Sequence, residues 1–405
     1  MEAAMSLKRD IRLVNAHGIF THMLFLLPVI FPYYNSIGLT FRDFLIGEAV
    51  FSAVVLLSEV PSGWISDMWK RRSTLVLGGF FGLCGYAMLM LAEGFWMATS
   101  AQAVIGIAVA LNSGTNTALL YDRLHEEGRE DDYRRLDGQR HGATFYGTAL
   151  SCLAGGFLFF VHPKLPLVFD MAALLGAMIA IACVREPKRF QKSAEKHVFY
   201  DVFKTMKYAL TGHPEITGII LVSTVIMCTT KLMLWTQQPY YMAAGLPVIW
   251  FGVIMTASFI IGGVAGQFSH RIDRCGSNRA ALGGMGVLLV LCCFALAAVT
   301  SIWFGIILFL SGTLVYAMAQ PRINEGINTR IGPERRATVL STANLMVHFL
   351  FIPASLIVGL ISERGAIGDA LLWIGGQLLV LGGIGLWLWG RNGRRYAASS
   401  TITGT

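Results

Sequence analysis

Long apolar runs alternate with short polar stretches along almost the whole chain. They cover about 13–36, 43–66, 73–93, 95–121, 138–161 and 165–184, then about 214–241, 247–270, 279–299, 302–328, 337–361 and 367–390. Each holds about 20 residues or more, enough for an α-helix to cross roughly 30 Å of hydrocarbon. A helix is expected because it pairs its backbone polar groups internally where water cannot reach them. The pattern predicts an all-α membrane protein with twelve transmembrane helices, divided six and six by the longest polar interval. The predicted organisation is a six-helix bundle at 1–184, a central loop at 185–213, a second bundle at 214–391 and a tail at 392–405. In the loop, Val198, Phe199, Val202, Phe203, Met206 and Leu210 recur at helical spacing beside Lys196, Lys204 and Lys207. That suits an amphipathic helix on an anionic membrane surface, the alternative being a solvated linker.

Composition agrees. Of 405 residues, 55% are apolar and 14% charged, where a soluble chain carries roughly 25% charged residues. An ordinary soluble enzyme, a disordered chain and a secreted disulfide scaffold are excluded, and little length is left for a folded domain outside the bilayer. The net charge is +8, but no basic block carries the interleaved aromatics of a nucleic-acid surface. Of the 32 Lys and Arg, only Arg42, Lys164 and Arg364 fall in loops after odd-numbered spans, and Lys231 and Arg322 fall inside spans. The positive-inside rule then predicts both termini in the cytoplasm, in an inner or plasma membrane. Residues 1–10 lack the order of a secretory signal, so the first run is expected to stay in the mature protein. The seven cysteines form neither CxxC nor zinc spacing and read as small buried side chains. No metal site and no cofactor are expected.

The two halves echo one another. Gly63, Asp67, Arg71 and Arg72 follow span 2, with Gly78 and Gly79 after them; Gly266, Ser269, His270 and Arg274 follow span 8, with Gly283 and Gly284 after them. Gly266 lies 203 residues after Gly63, and Gly283 lies 205 after Gly78. Such a parallel repeat predicts two pseudo-symmetric bundles and is a transporter signature. At these residues the chain resembles the major facilitator superfamily, whose loop signature is Gly-x-x-x-Asp-Arg-x-Gly-Arg-Arg. Gly63, Asp67, Arg71 and Arg72 match, while Met68 and Lys70 depart. Gln102 stands where the family often carries Arg four residues before a Gly, here Gly106. Gly155 and Gly156 follow Ser151 and Cys152 without the Gly-Pro of drug/proton antiporters. The resemblance implies a gating role for Asp67, to which Arg71 and Arg72 are added. It also implies a central cavity lined by spans 1, 4, 7 and 10.

A polar side chain inside a bilayer is costly, roughly 2.5–3.5 kcal/mol for a charged one at mid-span, and each therefore needs a reason. Thr224, Cys228, Lys231, Trp235 and Gln238 share one face of span 7. Lys231 could meet an anionic substrate and Trp235 stack on it, or Lys231 could form a structural ion pair or snorkel. In span 10, Arg322 and Glu325 are spaced to pair, and Tyr316, Gln320 and Asn324 form an adjacent stripe beside Pro321. Arg322 is read as an anion contact or one side of a salt bridge. His22 in span 1, Asn112 and Asn116 in span 4 and His348 in span 11 are further candidate contacts; the histidines could equally be packing. Glu59, Glu325 and Asp122 are candidate proton-coupling carboxylates. Asp170 has no partner visible in the sequence, and the charged run from Arg123 to Arg135 reads as a solvated loop.

No Walker A, GxSxG or HExxH pattern is present, so neither an enzyme nor an ATP-driven pump is expected. The expectation is a monomeric, proton-coupled secondary transporter working by alternating access on a small molecule with an anionic group, with a lean towards efflux. Import of an anionic metabolite or siderophore-like chelate is the alternative. A receptor that binds without moving its ligand is the reading from another class.

Overall fold

The computed structural model describes residues 2–187, 198–272, 277–299 and 301–391. Cys275 and Lys196 lie outside them. The described residues are helical throughout, with short connections and no strand. Eleven helical runs are long and apolar enough to cross a membrane. The chain divides into two units, 1–195 with 246–260, and 196–245 with 261–405. The first part of the eighth expected span therefore groups with the N-terminal unit.

The N-terminal unit contains α1 (Glu2–Thr21), α2 (Ile30–Ser36), α3 (Phe41–Met68), α4 (Arg71–Met90), α5 (Phe95–Asn112), α6 (Thr115–Glu126), α7 (Tyr133–Val161) and α8 (Leu165–Ala182). A capping box starts α3: Thr40 Oγ1 accepts from Asp43 N–H at 3.2 Å, and Asp43 Oδ2 accepts from Thr40 N–H at 2.9 Å. α4 lies close against α5 through small residues. A Cβ on Gly85 would stand 3.2 Å from the Ala101 carbonyl, and one on Gly78 3.3 Å from that of Ala108. Close backbone approach of this kind is how helices pack where lipid supplies no hydrophobic drive. Leu7, Val14, Leu75, Leu119, Leu120, Leu124, Ile181 and Val184 form the buried cluster at one end of the unit. That cluster explains why α1 begins well before the apolar run expected at residue 13: its first turns carry Leu7 into this core.

The expected first span is not one helix. α1 stops at Thr21, and the chain runs through a 3-10 turn, Leu27–Val29, before α2. Pro28 contributes no N–H and disfavours helical geometry in the residue before it. Irregular backbone at membrane depth survives only where protein satisfies it, and α7 and α8 do so here. Asp170 Oδ1 accepts from Phe25 N–H at 2.7 Å and Oδ2 from Leu26 N–H at 3.1 Å. Ser151 Oγ accepts from Leu24 N–H at 2.9 Å, and Thr148 Oγ1 donates to the His22 carbonyl at 2.7 Å. A Cβ on Gly155 would stand 1.9 Å from the Phe25 carbonyl oxygen. The glycine at that position is thus demanded by the break.

The second unit contains α9 (Val198–Thr211), α10 (Pro214–Ala243), all of α12 to α15 and the end of α11 (Ile249–Ile272). α12 is Asn278–Ala298, α13 Ile302–Asn328, α14 Pro333–Arg364 and α15 Ile367–Gln377; α15 continues through a π turn, Leu378–Gly382, to Arg391. α9 occupies the stretch where the central loop was expected to carry a helix. α10 is the enclosed member, with 83% of its membrane-length window buried against 22–44% for the other spans.

Candidate functional site

The site residues fall into groups, each built within one unit. In the second unit, α10 carries Thr224, Cys228, Trp235 and Gln238, all buried, with Lys231 half-buried among them. The enclosure of α10 disfavours a lysine that snorkels along lipid. Lys231 Nζ instead lies 3.9 Å from the centre of the Phe351 ring on α14, within cation–π range. His348 stands one turn before Phe351 and is in electrostatic contact with Lys231. Cys228, one turn before Lys231, couples to it and to Gln377 at the π turn. Two helices far apart in sequence thus bring Lys231 and His348 together.

Arg322 is elsewhere. It is 5% exposed, and its Nε donates to Asn278 Oδ1 at the start of α12, at 3.0 Å. By helix rise, Arg322 lies about 9 Å from the end of α13 and Lys231 about 25 Å from the start of α10. At their different depths the two cations do not share one small anionic group. Glu325 is exposed, as is Tyr316, while Gln320 is half-buried.

In the N-terminal unit, Asn112 and Asn116 flank Ser113, Gly114 and Thr115, where Gly114 at φ 70° separates α5 from α6. Asn112 Nδ2 donates to the Ala108 carbonyl at 2.9 Å. The Asn112 side chain also interacts with His17, and Asn116 Oδ1 is buried without a hydrogen-bond partner among the described residues. His22 Nδ1 pairs with the Gly18 carbonyl at 2.8 Å, and His17 Nδ1 with that of Ala177 at 3.2 Å. Glu59 is half-buried and accepts from Ser113 Oγ at 3.2 Å.

The loop residues make a third group. Arg71 Nε is 2.7 Å from Asp122 Oδ2, and Arg71 Nη2 is 3.8 Å from Asp67 Oδ1. Glu186, which sequence reasoning passed over, caps α4 by accepting from Arg71 N–H at 2.8 Å and Arg72 N–H at 3.1 Å. Carboxylates are favoured at a helix N-terminus. Arg72 Nη1 donates to the carbonyls of Ala182 and Val184.

The run from Arg123 to Arg135 is not a solvated loop throughout. Arg123 closes α6 at 1% exposure, its Nε and Nη2 donating to buried Asp10 Oδ2 at 3.1 and 2.9 Å and its Nη1 to Glu126. Removing one member of a buried pair is strongly destabilising, so this one acts as a structural anchor for α1.

Two further carboxylates are enclosed in this unit. One is Asp170 at the helix break. The other, Glu48, is 4% exposed and accepts from Gln102 Nε2 at 3.2 Å. Glu48 was missed from the sequence because it stands near the start of its span, where a charge reads as an edge residue.

Among families, the profile described as Major Facilitator Superfamily matches residues 138–355. No curated protein sequence matches the chain. Solved structures with the same fold include the nucleoside transporter NupG, at 12% identity and TM-score 0.75 over 96% of this chain and 99% of that one. The POT family transporter PepTSo aligns at 11% identity and TM-score 0.78, over 95% and 98%. A bacterial homolog of the human lysosomal transporter Spinster, inward-facing and unoccupied, aligns at 14% and 0.72, over 96% and 97%. At these identities the likeness is one of fold.

Proposed function

This chain belongs to the major facilitator superfamily, and we propose that it moves a small organic molecule bearing an anionic group, coupled to protons, by alternating access and in the direction of efflux. The coarser part is a property of the family: the chain is a multi-span secondary transporter of small molecules embedded in a lipid bilayer, and not an enzyme. The observation that carries the finer reading is Lys231, a cation on the enclosed helix α10 with the Phe351 ring and His348 beside it. A cation inside a membrane span needs a reason, and meeting an anionic group of the substrate beside an aromatic face is one. Trp235, Gln238, His22, Asn112, Asn116, Tyr316, Gln320 and Arg322 remain candidate contacts, but the reading rests on Lys231.

Twelve crossings follow if α1 and α2 together make one passage beside the eleven continuous runs. The distribution of Lys and Arg supports cytoplasmic termini. Asp67, Arg71 and Arg72 are assigned to the cytoplasmic gate, and the ion pair with Arg71 supports reading Asp122 as part of it in preference to coupling. Glu59 and Glu325 stay as coupling candidates.

Purified protein screened by thermal shift against matched organic anions and cations tests the substrate class. A ligand at about 100 times its Kd stabilises by roughly 2.7 kcal/mol. We expect a shift with carboxylates that disappears in Lys231→Gln. A shift with lipophilic cations alone would overturn the anionic reading. For the carboxylate that binds, right-side-out and inverted vesicles give the direction, and an imposed pH gradient gives the coupling.

A further inference from the structure

The cluster around Glu48 goes beyond these assignments. Glu48 lies seven residues past Phe41, about 10 Å along α3. Gln102, 3% exposed on α5, gives it one amide N–H. Tyr34 of α2 is 1% exposed. Its hydroxyl and the Gln102 side chain converge over Gly47, standing 3.7 and 3.4 Å from the place of its missing Cβ. Tyr34 is in electrostatic contact with Glu48, and its hydroxyl interacts with the Gln102 side chain. From α4, Tyr86 interacts with Glu48 and with Asp170 of α8. Tyr33 is committed elsewhere, donating to the Leu89 carbonyl at 2.8 Å.

These partners share a chemical property. An amide and a phenol each both donate and accept. Gln102 donates through Nε2 to a carboxylate and, turned over, accepts through Oε1 from a carboxylic acid; the Tyr34 hydroxyl beside it can follow either state. A guanidinium at position 102, as the family often carries, would fit the carboxylate alone. Asp170 is the opposite case, since its two oxygens are both taken by backbone N–H donors that cannot turn round.

We propose that Glu48 is a proton-exchanging group of the N-terminal unit, with Gln102 and Tyr34 as the positioning residues that accommodate both of its forms. Uptake forms an O–H bond at a carboxylate oxygen with a proton from hydronium, leaving water, and release reverses the step. The inference rests on the proton-coupled reading above.

The test is a pH-difference infrared titration of the full chain in lipid, with and without glutamate carrying carbon-13 in its side-chain carboxyl. The expected result is a reversible protonated-carboxyl band that shifts with the label and is lost in Glu48→Gln. It should also be lost in Gln102→Arg, where the guanidinium holds Glu48 ionised. A band that ignores the label, or one that persists in Glu48→Gln, overturns the proposal. If Glu48→Gln does not fold, the labelled wild type and Gln102→Arg decide it. Coupling is read separately: if transport of the binding carboxylate ignores an imposed pH gradient, the proton-coupled reading fails, whereas the infrared band still reports on Glu48.

Discussion

Asp170 and Glu48 are both carboxylates enclosed in the N-terminal unit, and they are held in opposite ways. Asp170 binds backbone. It accepts from Phe25 and Leu26 where the first span breaks, and the break has no other acceptor for those two N–H groups in the bonds described. Glu48 binds a side chain, Gln102, that can rotate. The first arrangement ties the carboxylate to the backbone of the break; the second ties it to a side chain that can turn. Burial alone does not tell a structural carboxylate from a working one. The partners do, because backbone donors permit one state and amides permit two.

Four substitutions test this contrast. The largest effect is expected in Asp170→Ala, which orphans two buried donors at about 1–3 kcal/mol each. A loss of about 4 kcal/mol, with faster hydrogen exchange at Phe25 and Leu26, would mark Asp170 as the keystone of the break; an unchanged unfolding midpoint would erase the distinction. Gly155→Ala should come next. Its Cβ meets the Phe25 carbonyl at 1.9 Å, and overpacking of this kind costs about 3 kcal/mol. Thermal unfolding in detergent measures it. Thr148→Val removes the hydroxyl that serves the His22 carbonyl and should cost about 1 kcal/mol by the same measurement. The smallest change is expected in Glu48→Gln, below about 0.5 kcal/mol, since the new amide still accepts from Gln102 and such bonds in membrane bundles average about 0.6 kcal/mol. A Glu48→Gln protein as unstable as Asp170→Ala would mean that both carboxylates are structural.

Much of the fold was legible along the chain. Apolar length marked the continuous spans, and the paired loops after spans 2 and 8 with Asp67, Arg71 and Arg72 pointed to the family. The break at 22–26 was not legible, because hydropathy counts apolar side chains and is blind to which backbone groups are paired. Its partners, Thr148, Ser151 and Asp170, lie more than 120 residues away. Arg123 misled for a related reason: a dense run of charges resembles a wet loop until Asp10, 113 residues earlier, is seen to neutralise it. In the candidate site, Lys231 stood out because a cation at mid-span is rare, but its neighbours His348 and Phe351 are set by packing. Glu186 carried no signal at all, since capping depends on where α4 begins in space.

The separation between the break and its support also has a consequence for how the protein is made. Phe25 and Asp170 are 145 residues apart. At synthesis rates of about 5–20 residues per second, the carboxylate leaves the ribosome on the order of ten seconds after the segment it serves. During that interval the amides of Phe25 and Leu26 are without their native acceptor. The bonds that hold the break are then completed late in assembly, when the sixth hydrophobic segment arrives.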